Sequence, residues 1–304
     1  MKLVVAVLGG DRRQEWVGRR FADLGAQVRV TGLNLEKPDS LTVAVSGAAE
    51  ALAGAGLIMA PVQGIDALGD ICTMPGAGRV HIGPRELREL APDAVCFAGA
   101  VAPPTRALLA EHGVDLVEYR EMDDFAILNS IPSAEGAIQL AMERLPITLH
   151  GSRSLVLGYG RTARTLARML RGLGAHVAVA ARRPADLARV EADAHEAISF
   201  AGLDARLNRM EVVFNTVPAV VLDAGRLGLL TPGTVVIDLA SAPGGVDHAA
   251  AAGLGVTAVL APGLPGKVAP RSAGQYIADL AVRYLKASGS PWAEYLADRG
   301  GGRQ

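Results

Sequence analysis

Residues 158–163 have the pattern Gly-x-Gly-x-x-Ala and lie between an apolar run, 154–157, and a segment of helical periodicity. In this arrangement Gly158 permits a tight turn, Gly160 lets the main chain approach a pyrophosphate, and Ala163 lets the helix pack closely on the strand. Free N–H groups at the start of the helix also attract phosphate. We therefore predict a Rossmann-type dinucleotide site, with a glycine-rich turn that binds no ligand as the alternative.

The next predicted strand, 176–181, is followed by Arg182 and Arg183. An NAD-specific fold usually places Asp or Glu at this point, on the ribose hydroxyls, and that acid is missing here. An arginine can instead hold the 2′-phosphate of NADP in a charge-assisted pair. The alternatives are that both arginines only end a surface strand, or that Asp186 or Glu191 supplies the carboxylate. The local chemistry favours NADP.

Two further segments, 215–218 and 238–241, follow predicted strands of the same sheet. Ligands of doubly wound sheets bind in the crevice at the carboxyl ends of the strands, so we expect both segments to border the nicotinamide. Asp238 has an alternative role, because Asp also ends strands by forming local turns. The residues predicted to bind the dinucleotide are Gly158, Tyr159, Gly160, Arg161, Thr162, Arg182, Arg183, Thr216, Val217, Pro218, Asp238, Ala240 and Ser241.

Two segments outside this fingerprint carry cationic side chains beside turns. Residues 9–14 contain two adjacent arginines, the second being Arg13, next to a predicted helix start. Such a pair suits a carboxylate, although a solvated surface pair fits equally well. Residues 262–272 are dense in Gly and Pro and contain Lys267 and Arg271. This segment either holds an acidic substrate or the nicotinamide ribose, or is a stiff turn before the last helix.

Residues 129–135 lie where the two halves of the chain meet, and ligand clefts form preferentially between domains. This segment contributes Asn129, Ser133 and Glu135 as polar candidates. The alternative is a helix that starts after a break at Pro132, with Ser133 as its cap.

The elements that must position these residues alternate between short apolar strands and helices, as an α/β fold requires. Predicted strands cover 3–8, 27–32, 57–61, 94–98, 115–119, 154–157, 176–181, 211–215, 234–239 and 256–260. Predicted helices cover 14–24, 84–90, 104–112, 161–172, 184–192 and 272–287. We predict two doubly wound lobes, a flavodoxin-like or Rossmann-like N-terminal lobe and an NAD(P)-binding Rossmann C-terminal lobe.

The 304-residue length favours two domains. We predict an N-terminal substrate or partner domain (1–125), an interdomain helix and linker (126–150), an NADP-binding domain (151–270), and C-terminal helices (271–304) that return to the first domain.

Composition excludes several classes of function. A net charge of −1 indicates no nucleic-acid partner, and no apolar run approaches the length of a membrane span. The two cysteines, Cys72 and Cys96, have neither disulfide nor metal-site spacing, which fits a reducing cytoplasm. The six histidines share no spacing for a metal or a nucleophilic pair, and we interpret them mostly as surface or packing residues.

Several segments together resemble the A subunit of dipicolinate synthase, and the resemblance runs nearly from end to end. The segments that carry it are Gly9-Gly10-Asp11 with Arg13-Gln14, Asn129-Ser130-Ile131-Pro132 with Glu135-Gly136, His150-Gly151-Ser152, Leu157-Gly158-Tyr159-Gly160-Arg161-Thr162, Asp238-Leu239-Ala240-Ser241 and Ala261-Pro262-Gly263-Leu264-Pro265-Gly266. The family pattern has one arginine in the first turn, whereas this chain has Arg12 and Arg13.

The resemblance implies NADP-linked oxidation of dihydrodipicolinate, or of its hydrated precursor, to dipicolinate, together with a flavoprotein-like B subunit. A dicarboxylate substrate needs cationic clamps, for which we expect Arg13, Lys267 and Arg271. Glu135 is the expected general base, and Asn129 and Ser133 are expected beside the substrate.

Two other functions stay open, and a homo-oligomer is possible whichever function holds. One is a scaffold or regulatory protein that holds NADP while a partner performs the redox chemistry. The other is an oxidoreductase like the 2-hydroxyacid dehydrogenases; that class uses a histidine late in the cofactor domain, and no histidine follows His248 here.

Overall fold

The computed structural model describes residues 2–35, 41–241 and 243–297. The chain forms two compact units: unit 1 contains Met1–Ala126 and Ala269–Gln304, and unit 2 contains Ile127–Val268. Among the described residues, none of the helices combines the length and the apolar character needed to cross a bilayer.

Unit 1 is built on a six-stranded parallel sheet with the strand order β3-β2-β1-β4-β7-β8. Its strands are β1 (Val4–Leu8), β2 (Gln27–Thr31), β3 (Thr42–Ala44), β4 (Leu57–Met59), β7 (Val95–Ala98) and β8 (Asp115–Glu118). A two-stranded antiparallel hairpin, β5 (Asp70–Ile71) and β6 (Val80–His81), lies outside this sheet. The first and fourth strands are neighbours, so the chain reverses its direction of winding between β1 and β4, as in Rossmann folds.

Helices cover both faces of this sheet. They are α1 (Arg12–Asp23), α2 (Ala48–Leu52), α3 (Pro103–Glu111), α11 (Pro270–Ala287) and α12 (Trp292–Ala297). The side chains of β1 alternate between two cores, since Val5 and Val7 join α1, α11 and α12, whereas Ala6 and Leu8 join α2 and α3. The C-terminal helix α11 packs directly on α1, where a β-carbon at Gly274 would lie 2.3 Å from the carbonyl oxygen of Arg13.

Unit 2 repeats the same strand order, β11-β10-β9-β12-β13-β14, with all strands parallel. Its strands are β9 (Arg153–Leu157), β10 (His176–Ala181), β11 (Glu196–Ser199), β12 (Val212–Asn215), β13 (Val235–Asp238) and β14 (Thr257–Leu260). Its helices are α4 (Asp123–Arg144, which begins in unit 1), α5 (Arg161–Gly172), α6 (Pro184–Ala192), α7 (Asp204–Leu207), α8 (Ala224–Leu227), α9 (His248–Gly253) and α10 (Leu264–Val268). The predicted fold class, two doubly wound α/β lobes, is confirmed.

One face of the unit 2 sheet packs on α4 and α5, and the other packs on α7, α8 and α9. Because successive residues of a strand point to opposite faces, Phe214 and Ile237 enter the first core while Asn215 and Asp238 point toward the second. This alternation places two buried polar side chains at the carboxyl ends of β12 and β13.

Helix α4 differs from its prediction, because it is continuous from Asp123 to Arg144 and contains Pro132. The alternative interpretation of this segment was a helix that starts after a break at Pro132 with Ser133 as its cap, since proline removes one helical hydrogen bond. In the structure the Ser133 hydroxyl donates to the carbonyl oxygen of Asn129 at 2.9 Å, so Ser133 lies inside the helix and does not cap it.

Short and exposed elements were also missed. Elements that were not predicted are the strands β3 and β11, both strands of the hairpin, and the helices α2, α7, α8, α9 and α10, and each has six residues or fewer. The helix expected at 84–90 is a series of turns, in which the main-chain N–H of Gly83 donates to Glu86 at 2.9 Å. Local periodicity is weak in segments of this length, so tertiary packing decides their conformation.

Candidate nicotinamide nucleotide site

The glycine turn after β9 is shaped by two glycines with different constraints. Gly158 has φ +94°, and a β-carbon there would lie 2.7 Å from the Thr216 hydroxyl oxygen. Gly160 has an ordinary φ of −79°, and no atom lies within 4 Å of the position its β-carbon would take. The fold thus requires glycine at 158, whereas the space in front of Gly160 is open for a ligand.

Helix α5 begins at this turn without a side-chain cap. Its first helical hydrogen bond runs from the Arg164 N–H to the Gly160 carbonyl at 3.0 Å, so the N–H groups of Thr162 and Ala163 precede the hydrogen-bonded ladder. Ala163 is fully buried, which lets the helix axis approach the sheet. The N–H groups and the positive end of the helix dipole together suit a pyrophosphate.

Tyr159 contributes its main chain to the turn, and its side chain points elsewhere. The ring is buried, and the hydroxyl donates to an Asp193 carboxylate oxygen at 2.5 Å. Burial, together with this hydrogen bond, raises the pKa of Tyr159 to about 12. The Arg164 guanidinium lies 5.6 Å from the ring centroid. Because the side chain is engaged elsewhere, only the main-chain atoms of Tyr159 remain predicted to bind the dinucleotide.

The two arginines after β10 have different surroundings. Arg183 forms a two-pronged pair with Asp186, at 2.7 and 2.9 Å. Arg182 is exposed and has no hydrogen bond or ion pair within the part of the chain that the structure describes. Arg182 is therefore the arginine whose charge is available to a ligand phosphate.

The ends of β12 and β13 are joined by a buried carboxylate. Asp238 is fully buried and accepts from the Asn215 side-chain amide at 2.8 Å and from the main-chain N–H groups of Ala240 and Gly245 at 3.2 and 3.1 Å. Nε2 of His248 lies 3.4 Å from its second oxygen. These contacts fix the loop that follows β13, as a local turn-former would, and they place it beside the crevice.

His248 was interpreted as a surface or packing residue, and the contact with Asp238 was missed. The sequence feature that could have indicated this contact is the position of His248 directly after Asp247. Asp247 caps α9 by accepting from the Ala250 N–H at 2.9 Å. A helix that follows a parallel strand starts at the carboxyl edge of the sheet, so its first residue comes close to the crevice.

The loop after β12 forms the other wall of the turn. The Thr216 hydroxyl donates to the carbonyl oxygen of Leu157 at 2.8 Å, and the Val217 N–H donates to the Asn215 side-chain oxygen at 3.1 Å. Pro218 is exposed, as are Ser241 on the next loop and Arg161 on α5. The contacts of these residues with a dinucleotide stay predictions.

Glu135 lies away from the glycine turn. It is exposed on α4 and, with Met169 and Leu173, lines a groove between α4 and α5. Met169 is eight residues beyond Arg161, about 12 Å along the helix from the phosphate-binding end. Within this unit the continuous α4 places Glu135 toward the far end of α5, and its role as the general base stays a prediction.

Asn129, also on α4, has a different environment. Its side-chain oxygen is buried and accepts no hydrogen bond within the described residues. A buried acceptor without a partner is costly, so this oxygen is a site at which a donor would be stabilising.

In unit 1 the turn after β1 is occupied by its own side chains. Arg13 is buried and forms a two-pronged pair with Asp11, at 2.8 and 2.6 Å. Burial alone would raise the pKa of the Asp11 carboxyl, but the hydrogen bonds and charge of Arg13 outweigh it and lower that pKa. Arg13 is thus already paired within the protein, and its predicted contact with a substrate carboxylate stays a prediction.

Lys267 and Arg271 fall in different units. The segment expected to be an irregular loop contains the short helix α10, on which Lys267 is exposed. Arg271 is exposed at the start of α11, and its guanidinium lies 5.2 Å from the centroid of the Trp16 ring. Both cations remain accessible to solvent.

The fold and the glycine turn define a dehydrogenase-type oxidoreductase with a nicotinamide-nucleotide-binding domain. The model of the "D-isomer specific 2-hydroxyacid dehydrogenase, NAD binding domain" family matches residues 133–252, and the model of the N-terminal domain of the dipicolinate synthase A subunit matches residues 4–120. The chain is 35% identical to the A subunit of dipicolinate synthase from Bacillus subtilis over 93% of this chain and 96% of that protein. It therefore belongs to the family of dipicolinate synthase A subunits, which confirms the resemblance.

Solved structures agree with this assignment. The crystal structure of the dipicolinate synthase A subunit from Bacillus halodurans has a TM-score of 0.84 and 33% identity, covering 93% of this chain and 97% of that one. The corresponding crystal structure from Bacillus subtilis has a TM-score of 0.82 and 34% identity, covering 98% of both chains.

The open space at Gly160 gives a prediction that separates binding from folding. Gly160→Val should raise the dissociation constant for the nucleotide at least about tenfold, because the side chain fills the space beside the phosphate-binding N–H groups. It should lower the free energy of unfolding by no more than about 1 kcal/mol, since the position has an ordinary φ. Titration calorimetry and denaturant unfolding measure the two quantities.

Two other glycine variants serve as comparisons. Gly158→Ala should lower the free energy of unfolding in addition to weakening nucleotide binding, because Gly158 has a positive φ and its β-carbon would contact Thr216. Gly253→Val, in open space on α9, should leave affinity unchanged. Unaltered nucleotide binding by Gly160→Val would contradict the placement of the phosphates.

The Asp11–Arg13 pair predicts a pH-dependent contribution to stability. Asp11→Asn keeps a helix-capping acceptor but removes the charge, and it should cost about 2 kcal/mol at pH 7. The folded-state pKa of Asp11 lies below its ordinary value of 3.8, so the stabilisation is complete above that value and is lost as the pH falls through the folded-state pKa.

Thermal unfolding of the wild type and of Asp11→Asn between pH 2 and 7 tests this pH dependence. Asp279→Asn is the matched control, since its pair with Arg20 is more exposed and should contribute little at any pH. A stability difference between Asp11→Asn and the wild type that does not shrink in acid would contradict the assignment.

Proposed function

We propose that this chain catalyses the NADP-linked oxidation of dihydrodipicolinate, or of its hydrated precursor, to dipicolinate, together with a B subunit. The observation that carries the proposal is the open glycine turn at Gly160 in a chain of the dipicolinate synthase A-subunit family. The ring loses one hydride and one proton, and the hydrated precursor also loses water. The aromatic product makes the step favourable. The spacing of the cysteines suits the cytoplasm as its compartment.

Different residues of unit 2 would bind different parts of the cofactor. The α5 N–H groups beside Gly160 would bind the pyrophosphate, and Arg182 would bind the 2′-phosphate. When bound, NADP⁺ would supply the hydride acceptor. The network of Asp238 with Asn215 would hold the neighbouring loops in place for the nicotinamide, so that little reorganisation accompanies binding.

The substrate brings two carboxylates and, in its hydrated form, a hydroxyl group. Lys267 and Arg271 are exposed cations and remain the proposed partners of the carboxylates. The buried Asn129 oxygen accepts no hydrogen bond from the described residues, and it would accept one from the hydroxyl or from a ring N–H. The Ser133 hydroxyl already donates to the main chain of Asn129, so it would contribute as an acceptor only.

Turnover is tested by incubating the purified chain with dihydrodipicolinate and NADP⁺, with and without the B subunit. We expect NADPH and dipicolinate to form in equal amounts. Dipicolinate without NADPH would overturn hydride transfer to the nucleotide and favour a scaffold role. Oxidation of 2-hydroxyacids in place of dihydrodipicolinate would favour the dehydrogenase alternative.

The cofactor preference depends chiefly on Arg182. Arg182→Ala should weaken NADP binding at least about tenfold and leave NAD binding nearly unchanged, because the side chain meets only the 2′-phosphate. Arg183→Ala should have a smaller effect, since Asp186 already pairs with Arg183. Dissociation constants for both nucleotides measure this, with Arg189→Ala as a control on the neighbouring α6. An unchanged ratio in Arg182→Ala would remove the basis for NADP.

A further inference from the structure

A cavity of about 330 Å³ lies at the amino-terminal edge of the unit 2 sheet. Three basic side chains line it: Arg171 at the end of α5, His176 at the start of β10 and His195 just before β11. Nucleotides bind at the opposite, carboxyl-terminal edge of such sheets, which lies about 20 Å away along the six residues of β10. The cavity is therefore separate from the candidate nucleotide site, and its volume suits a small ligand.

The two ring nitrogens of His195 have different surroundings. Nδ1 is buried and has no hydrogen-bond partner among the described residues, whereas Nε2 is not buried. A proton on Nδ1 would leave a buried donor unsatisfied, so the neutral ring carries its proton on Nε2. Burial and, after it, the charge of Arg171 lower the pKa of His195, and the ring is neutral at pH 7. Nε2 of His195 is therefore a hydrogen-bond donor at the cavity.

The Arg171 guanidinium brings a positive charge that no carboxylate of the described residues offsets. Its Nη1 donates to the main-chain carbonyl oxygen of Asp193 at 2.8 Å, which leaves the edge of the fork formed by Nε and Nη2 available. Glu196 also lines the cavity, but its carboxylate pairs with Arg206 at 3.1 Å. The exposed ring of His176 adds a further donor. The groups available to a ligand are thus donors beside a positive charge.

The turn that ends α6 holds one wall of the cavity in place. Ala194 has φ +57°, which is uncommon for a residue with a side chain. The next N–H, that of His195, donates to the carbonyl oxygen of Val190 at 3.0 Å. The bond from Arg171 to the Asp193 carbonyl ties the same turn to α5. Donors that are already in place bind a ligand with little reorganisation.

We propose that this cavity binds a small oxyanion, either a phosphate or a carboxylate, in the fork of Arg171 with Nε2 of His195 as a second donor. A planar guanidinium holds two oxygens of either group in parallel hydrogen bonds. The anion offsets a charge that has no ionic partner in the described part of the chain. The site is independent of the nucleotide and of the reaction proposed above.

Histidine resonances of the full chain test this site at constant pH and ionic strength. Inorganic phosphate and succinate are each titrated into protein labelled with carbon-13 at histidine Cε1. We expect at least one of them to shift the His195 signal saturably, with a dissociation constant of about 1 mM or lower. The His195→Gln variant identifies the signal, and sodium chloride is the blank. The anion that binds more tightly identifies the oxyanion class.

Arginine variants test the fork. Arg171→Ala should raise the dissociation constant of the anion at least about tenfold, because it removes both the charge and the paired donors. Arg171→Lys keeps the charge and should lose less. Arg168→Ala is the matched control, since Arg168 is exposed three residues earlier on α5 and does not line the cavity, and it should leave the affinity unchanged. Circular dichroism checks that each variant is folded.

Three results would overturn the anion site. They are a His195 signal that neither anion shifts saturably, an equal shift with chloride, and an undiminished affinity in Arg171→Ala. No nucleotide takes part in these titrations, so their failure would leave the proposed oxidation untouched, and a failure of that oxidation would leave the anion site untouched.

Discussion

The carboxylate of Asp238 is the interaction on which the geometry of the nucleotide domain depends. It is fully buried, and a buried charge is tolerated only when donors surround it. Two of its donors are main-chain N–H groups of the loop after β13, and a third is the Asn215 amide at the end of β12. A β-carbon at Gly245 would lie 2.1 Å from that amide nitrogen, so the loop closes over the carboxylate only because residue 245 is glycine. Two adjacent strand ends are thereby fixed at the edge where ligands of such sheets bind.

The two units share a strand order but differ at the turn after their first strand. In unit 2 the space in front of Gly160 is open. In unit 1 a β-carbon at Gly9 would lie 2.4 Å from the Cys72 carbonyl oxygen, and one at Gly10 would lie 2.6 Å from Pro61. The charged side chains of this turn, Asp11 and Arg13, pair with each other. The same topology therefore gives an open turn in unit 2 and a closed, self-paired turn in unit 1.

The long, strongly periodic elements were predictable from sequence. Helix α5 matches its predicted bounds, and β10 does as well, because their patterns extend over enough residues to specify one conformation. The glycine turn was predictable because its backbone demands are local. Which side chains are free was not predictable, since the Asp186–Arg183 and Asp11–Arg13 pairs arise from rotamers that the spacing does not encode. Pro132 gave the wrong position for the start of a helix because the tertiary packing of α4 outweighs one lost hydrogen bond.

The pairing of Arg183 with Asp186 also bears on how sharply this domain distinguishes its nucleotides. The pair is exposed on the arginine side, so solvent screens it and a ligand phosphate can draw Arg183 away at little cost. Asp186 would then be left as a carboxylate near the position where NAD-specific folds bind the ribose hydroxyls. The segment thus contains a group suited to each nucleotide. Under the proposed preference for NADP, Arg182, which has no internal partner among the described residues, would decide between the two nucleotides, because its charge would favour the one with the additional phosphate.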